Sequence, residues 1–446
     1  MAEDLALSTI QPSPPRSVSP PISDALGISA LRKASLRLMP LLALGYGAAS
    51  LDRANVSFAS LQMNRDLHFS ASIYGLGAGV FFLGYALFEV PSNLLLCRFG
   101  ARRWIARIMF TWGLLATGMM FVKTPGHFYI MRFLLGLAEA GFAPGVVFYL
   151  TQWFPAATRA RAISRYYVAL PLSQMIMGVL AGALLNLNGT LGLAGWQWLF
   201  LVEGLPPVLL AFVFLAWLPD NPTQARWLTT DERAWLIRQL ETESPQDRSK
   251  DNDIKRALLD PRLWQIAFLH GCMLTCSYAY TFTAPAILQK ATGFSVTNVG
   301  FLIAGIGLLS GLSLLLNARH SDRKMERHWH LAIPLPLMAS GFLVSGLSAN
   351  PWLVVPALAV VPVSFYSAAG PFWAIASSFH KGRRAAAGIA AISAISTLGG
   401  FIGPYWMGLA RDLTGSYQRG LLTFTFPALV ATFTLFIVRR RTAEHS

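Results

Sequence analysis

Leu218-Pro-Asp-Asn-Pro-Thr-Gln-Ala-Arg-Trp-Leu-Thr-Thr-Asp-Glu-Arg233 opens a polar stretch that continues to Arg262, and what flanks that stretch decides the fold. Before it lie six apolar runs, at 38–62, 71–96, 104–122, 126–151, 163–186 and 195–217. After it lie six more, at 263–289, 296–317, 331–348, 351–379, 385–409 and 419–438. A run of roughly 20 apolar residues crosses a bilayer as a helix. The chain is 54% hydrophobic and 13% charged, against about 25% charged in a soluble domain. These runs leave no residues for a sizeable soluble core. The fold class expected is an all-α membrane protein of twelve transmembrane helices.

The stretch 218–262 contains one short amphipathic segment, Thr230 to Leu240, followed by a charged linker. Two six-span halves joined in this way suggest parallel repeats. The halves, 38–217 and 263–438, echo each other weakly. Arg98-Phe-Gly-Ala-Arg-Arg-Trp104 follows the second span, and Arg319-His-Ser-Asp-Arg-Lys-Met-Glu-Arg-His-Trp329 follows the eighth. Residues 1–37 hold Pro12, Pro14, Pro15, Pro20 and Pro21 and no apolar core of a cleaved signal. They read as a disordered cytoplasmic tail, and 439–446 as a short cytoplasmic C-terminal tail.

The net charge of +15 in a soluble chain would raise nucleic-acid binding. Here it reports orientation. Twenty-nine Lys and Arg residues lie in the tails and even-numbered loops or at their span ends, and five lie on the other side. Arg53 and Arg132 fall inside spans. So strong a bias places both termini in the cytoplasm. Cys97, Cys272 and Cys276 have no metal-ligand spacing, and the last two read as packing residues.

An ionisable side chain within a span costs several kcal/mol and is therefore a functional candidate. Asp52, Arg53 and Asn55 lie in the first span, Glu89 in the second, Arg132 and Glu139 in the fourth, and Glu203 in the sixth. The second half has none deep in a span, His270 being the nearest. Asp52 and Arg53 are about 100° apart on a helix, so each needs a partner elsewhere. Arg132 and Glu139 share a helix face about two turns apart. A planar guanidinium suits bidentate binding of a carboxylate. Arg53 is accordingly the candidate for the substrate carboxylate, with Arg132 and Asn55 beside it. Burial disfavours an ionised carboxylate, which makes Asp52 and Glu139 candidate proton carriers. A static ion network between the first and fourth spans is the competing reading.

Glu89, Arg102, Arg103, Glu203, Asp322 and Arg323 sit near span ends or in loops and read as gating or inter-helix contacts. In the second half, Tyr278, Tyr280, Trp373, Ser377, Ser393 and Thr397 could line a cavity, although each residue type more often packs. The chain has no Walker A sequence, no His-Glu-x-x-His metal motif, no nucleophile elbow and no voltage-sensor arginine series. It is therefore expected to be neither an enzyme nor an ATP-driven pump, and to need no metal or cofactor beyond an ion gradient.

Several stretches resemble the major facilitator superfamily, and within it the anion:cation symporter family of tartrate, sugar-acid, phthalate and hydroxyphenylacetate carriers. They are Leu51-Asp-Arg-Ala-Asn55, Gly84-Tyr-Ala-Leu-Phe-Glu-Val-Pro-Ser-Asn93, Arg132-Phe-Leu-Leu-Gly-Leu-Ala-Glu-Ala-Gly141, Gly195-Trp-Gln-Trp-Leu-Phe-Leu-Val-Glu-Gly204 and Arg319-His-Ser-Asp-Arg323. The resemblance implies the major facilitator fold, Asp52 and Glu139 as the protonatable pair, and Arg53 and Arg132 as the anion-facing bases. The chain departs from the family pattern at Ser393 and Thr397, at Thr283-Ala-Pro285 and at Ala376, all in the half expected to read substrate shape.

The expectation is a monomeric carrier in a bacterial inner membrane, working by proton-coupled symport of a tartrate-like hydroxy-carboxylate or sugar acid. An aromatic carboxylate carrier and an uncoupled facilitator or exchanger are the alternatives. A transporter-like nutrient sensor would need a long signalling tail, and a membrane enzyme would need a catalytic constellation. The sequence shows neither.

Overall fold

The computed structural model of the protein describes residues 25–243, 259–378 and 382–443, and a few side chains inside α6, α14, α15 and α17 lie outside the description. Helices make up the regular structure of these residues, with no strand among them. The first half comprises α1 (Ala25–Asp66), α2 (Ala71–Phe99), α3 (Ala101–Gly118), α4 (Pro125–Glu139), α5 (Phe142–Thr151), α6 (Ala156–Tyr167), α7 (Ala169–Leu185) and α8 (Gly195–Trp217). The linker carries α9 (Thr230–Glu243). The second half comprises α10 (Pro261–Thr292), α11 (Val296–Lys324), α12 (His328–Ala332), α13 (Pro334–Leu347), α14 (Pro351–Ser378), α15 (Gly382–Thr397), α16 (Gly399–Thr414) and α17 (Tyr417–Ala443). Among the described residues, ten helical spans are long and apolar enough to cross a bilayer. α10 and the α15–α16 pair complete six passes on each side of the linker. α10 is the more polar because it carries Gln265, His270, Tyr278, Tyr280 and Lys290 along its length.

Several helix boundaries differ from the sequence reading, and three bear on the site and its flanks. The first helix begins at Ala25, not 38, so 25–37 is helical, and only 1–24 of the expected tail lies outside the description. The cause is packing against the linker. Ala30, Leu31, Ala34 and Leu38 are buried. Ser29 Oγ donates to Glu232 Oε1 at 2.7 Å, and Lys33 Nζ donates to Glu232 Oε2 at 2.9 Å. Gly27 lies so close to the ring of Trp235 that a Cβ would overlap it. The last helix likewise continues to Ala443 rather than ending at 438.

The fourth span, expected as one helix over 126–151, breaks after Glu139. Ala140 leaves helical geometry, and Gly141 takes φ +86°, a left-handed conformation that a residue with a Cβ adopts at a cost. The Ser92 side chain lies where a Cβ on Gly141 would point, and its hydroxyl accepts from Trp104 Nε1 at 3.1 Å. The break leaves Glu139 as the last helical residue of α4.

The halves meet closely at the face opposite α9, where α2 and α11 begin. Gly178 on α7 and Gly300 on α11 approach so closely that a Cβ on either would strike the other's backbone. Gly75 on α2 similarly abuts the Pro404 carbonyl on α16. Asp412 caps α2, accepting from Ala71 N at 3.2 Å and Ser72 N at 2.8 Å. Asn186 Nδ2 donates to Thr297 Oγ1 at 2.8 Å, and Tyr74 OH donates to the Phe282 carbonyl at 2.8 Å. Small residues allow helix backbones to approach in this way. The two halves are thus sealed at the far face, away from the linker.

Candidate functional site

α1 and α4 bring the intramembrane charges together. Arg53 Nε donates to Glu139 Oε1 at 2.7 Å, and Arg53 Nη2 lies 2.6 Å from the same oxygen. Glu139 is fully buried, and the Arg53 side chain remains 21% exposed. Glu139 Oε2 has no partner. The Arg53 guanidinium stands 5.0 Å from the Tyr85 ring centre and 5.9 Å from that of Phe81. A cation over an aromatic face gains about 0.5–2 kcal/mol. Glu89 lies within electrostatic reach of Arg53, and one of its carboxylate oxygens is also unpartnered.

Asp52, one residue earlier on α1, points elsewhere. It is 1% exposed and accepts from Asn55 Nδ2 at 3.2 Å through Oδ1, leaving Oδ2 without a partner. Its charged neighbours are Glu139, Arg132 and Arg53. On the α8 side, Glu203 is buried with neither oxygen hydrogen-bonded, and Asn55 and Asp52 are the groups it faces. Arg132 is sealed from solvent at 1% exposure. Its Nε and Nη2 reach the carbonyls of Gly77 and Ala78 at 3.4 Å, and its guanidinium lies 4.8 Å from the Phe81 ring. In this conformation Arg132 is therefore a buried counter-charge, and Arg53 is the partly exposed base.

The second-half residues divide. Tyr278 faces Arg53 and packs on Phe82 with ring centres 4.4 Å apart. Tyr280 is buried with its hydroxyl unpartnered, near Tyr366. Trp373 lies 5.1 Å from His270, which stacks on Phe372 at 4.5 Å. Thr397 Oγ1 donates to the Ser393 carbonyl at 2.8 Å within its own helix. Ser377 is on α14, but its side chain lies outside the described residues.

Among the peripheral candidates, Arg102 holds the α2–α3 turn to the end of α8. Its backbone N–H donates to Asp220 Oδ1 at 2.8 Å, and its Nε donates to the Leu215 carbonyl at 2.5 Å. Arg103 is exposed. Asp322, in the last turn of α11, pairs with Arg327 of the α11–α12 loop. There Glu326 accepts from Trp329 N at 2.8 Å and contacts His330 Nδ1 at 2.8 Å. Partial burial pushes the Glu326 carboxyl up, but the Trp329 N–H and the His330 ring outweigh it and hold it below its ordinary value. Arg323 ends α11 as part of its basic last turn.

Sequence reasoning did not find a cluster of tyrosines. Tyr46 stacks on Tyr166 at 4.3 Å and meets Tyr167 edge-on at 5.6 Å, and all three lie within electrostatic reach of Arg53. Of the five tyrosines that they make with Tyr85 and Tyr278, only Tyr85 has its ring against the guanidinium, at 5.0 Å, and Tyr46 and Tyr166 are committed to each other. The adjacent Tyr166-Tyr167 pair in an apolar run was the available signal, since membrane tyrosines otherwise favour the interfaces.

No group of three or more potential metal ligands occurs among the described residues. The sequence pattern of the family described as "Major Facilitator Superfamily" matches residues 42–404. A protein of Agrobacterium vitis named "Putative tartrate transporter" is 43% identical over 93% of this chain and 96% of its own length. A protein of Acinetobacter baumannii named "Quinolone resistance transporter" is 39% identical over 92% of this chain and 94% of its own. Among solved structures, a bacterial homolog of the human lysosomal transporter Spinster, in an inward-facing and unoccupied conformation, superposes with a TM-score of 0.76. It covers 92% of this chain and 97% of that one at 15% identity, a likeness of fold.

Proposed function

The chain belongs to the Major Facilitator Superfamily, and from that premise, a multi-pass membrane transporter and not an enzyme, we propose that it carries a small organic anion together with protons by alternating access. The observation that carries this reading is the Arg53–Glu139 pair. Both guanidinium nitrogens converge on one carboxylate oxygen, and the guanidinium is partly exposed while the carboxylate is not. When a proton neutralises Glu139, the fork of Arg53 is released to a substrate carboxylate, which it binds bidentately. The proton and the anion thus take opposite members of one ion pair, and loading one favours loading the other.

Charge balance supports coupling. Asp52, Glu89, Glu139 and Glu203 are four buried carboxyls around two guanidiniums, Arg53 and Arg132. An unneutralised charge in this setting costs several kcal/mol. A neutral cluster therefore holds two protons before substrate arrives, and the arriving anion needs one more for each of its negative charges. Asp52 and Glu139 are the proposed carriers. The seal at the far face and the basic linker-side loops support our reading of a carrier open toward the cytoplasm, with both ends of the chain on that side of a bacterial inner membrane.

A hydroxy-carboxylate or sugar acid is the leading substrate class, in line with the tartrate-named relative. Tyr85 and Tyr278 beside Arg53 favour a second reading, an aromatic carboxylate packed against those rings. The deciding experiment is uptake by purified protein in proteoliposomes. A panel of tartrate, sugar acids and aromatic acids would be offered with and without an inward proton gradient. Gradient-driven accumulation of one acid, lost in Arg53→Gln, is the expected result. Accumulation that ignores the gradient would remove Asp52 and Glu139 as carriers, and no uptake of any acid would overturn the anion reading.

A further inference from the structure

A second basic site lies outside the central chamber. Between the first turns of α1 and α6 is a groove of about 470 Å³ lined by Arg32, Arg161 and Arg165 over an apolar floor that includes Leu31, Leu36 and Phe154. No acidic side chain lines it, and no carboxylate pairs with these three arginines among the described residues. Arg165 Nη1 donates to Ser35 Oγ at 2.6 Å and bridges the two helices. Leu36 is 65% exposed, as expected of a lipid-facing position rather than a buried one. Further into the membrane the same α1–α6 seam ends at the buried stack of Tyr46 on Tyr166. The groove therefore opens to the bilayer border rather than to Arg53.

We propose that this groove binds the phosphate of an anionic phospholipid from the surrounding bilayer, with its acyl chain lying along Leu31 and Leu36. Three cations without a carboxylate partner among the described residues, directly above an apolar floor, match an amphiphile with a negative head and an apolar tail. A soluble anion would leave the floor unused, and a zwitterionic lipid would bring its own cation against three others. Basic clusters at the ends of membrane helices attract anionic headgroups, each Lys or Arg near the surface giving about a fivefold preference. Because α1 carries Asp52 and Arg53, a lipid joining α1 to α6 would also hold the start of the site-bearing helix.

The test uses the full chain in nanodiscs of phosphatidylcholine doped with fluorescent phosphatidylglycerol or fluorescent phosphatidylcholine, read by energy transfer from the protein's tryptophans. The expected result is enrichment of the anionic probe over the zwitterionic one by about tenfold or more, falling to parity in R32Q/R161Q/R165Q. A variant neutralising three other basic residues of the linker side, R319Q/R323Q/K324Q, should keep the preference. Unchanged thermal unfolding of both variants would show that the fold is intact. If R32Q/R161Q/R165Q unfolds early, the single variant R161Q takes its place and should lose about fivefold. Equal enrichment of the two probes in the parent protein overturns the proposal. So does displacement of the anionic probe by millimolar inorganic phosphate, which would make the groove a soluble-anion site.

Discussion

Arg53 and Glu139 meet through a single oxygen. Nε and Nη2 both approach Oε1, at 2.7 and 2.6 Å, and Oε2 faces no donor. A carboxylate held by both of its oxygens would be a closed pair. Held by one, it can give up the guanidinium by neutralising a single oxygen.

Arg53→Lys follows from that geometry. Lysine keeps the charge but loses the planar fork. One charge-assisted hydrogen bond contributes about 1.5–3 kcal/mol, so kcat/KM for the transported acid is expected to fall by about tenfold to a hundredfold. Measured uptake within twofold of the parent would show that the fork does not hold the substrate. Glu139→Gln should behave differently, because a neutral amide mimics the protonated acid. Exchange of substrate across the membrane is expected to continue while accumulation against a gradient is lost.

Gly178→Leu tests the seal at the far face. The Gly300 carbonyl stands in the way of any side chain, with the Ala304 N–H at 3.1 Å from the Cβ position, and backbone cannot move aside as a flexible side chain does. Overpacking costs about 1–3 kcal/mol, enough to shift a two-state equilibrium by about fivefold to a hundredfold. Cysteines placed at Asn186 and Thr297, whose side chains touch at 2.8 Å, should crosslink readily in the parent and poorly in Gly178→Leu. Equal crosslinking would show that the halves close by another contact.

These contacts also mark how far the sequence could be read. Twelve passes, the linker helix from Thr230 and the gathering of charges on α1 and α4 follow from apolar length and from the rarity of ions in spans. The start of α1 at Ala25 does not, because 25–37 is helical through partners some two hundred residues away, Glu232 and Trp235. The break after Glu139 was hidden because Ala140-Gly141 is as apolar as its surroundings, and only the left-handed Gly141 interrupts the helix. The identity of each charge's partner was out of reach as well. Periodicity shows that Asp52 and Arg53 diverge but cannot say that Arg53 takes Glu139 while Arg132 turns to the carbonyls of Gly77 and Ala78.

The linker latch should be insensitive to pH over the working range. Burial raises the Glu232 carboxyl, but Lys33, the Thr229 N–H and the Ser29 hydroxyl outweigh it and draw it down to about 2, from an ordinary value of 4.5. A group whose folded value is depressed contributes stability that is fully present above its unfolded value and is lost as pH falls through the folded value. The contribution is therefore constant from about pH 5 upward and fades only between about pH 4.5 and 2. Lys33 is 41% exposed, so solvent screens the pair and its contribution is about 1 kcal/mol or less. Glu232→Gln should lower the thermal midpoint by a small amount that is the same at pH 5.5 and pH 8. A difference that grows toward pH 8 would mean that Glu232 titrates near neutrality and that the latch is a switch.

Glu203 gives the sharpest contrast between two substitutions. It is 5% exposed, and neither of its oxygens has a hydrogen-bond partner. Asp52 and Asn55 are its polar neighbours across the α1–α8 contact, and Asp52 Oδ2 and Asn55 Oδ1 are acceptors without partners. Ionised, Glu203 would add a third acceptor and a second negative charge. Protonated, it would bring a second donor to a place where the Asn55 amide, already given to Asp52 Oδ1, is the other. Glu203→Gln fixes that state permanently, since its amide supplies two N–H donors to the two waiting oxygens. Each hydrogen bond so made is worth about 0.5–1.5 kcal/mol, and a buried polar group left unpaired costs about 1–3 kcal/mol. Glu203→Gln is therefore expected to unfold at the parent's temperature or above it and to transport within about twofold of the parent. Glu203→Leu, similar in size but without a donor, should be destabilised by about 2 kcal/mol. Thermal unfolding of the two variants side by side decides the matter. If Gln destabilises as much as Leu, Glu203 is ionised and balances a positive charge, and the two protons resting in the cluster sit on other carboxyls.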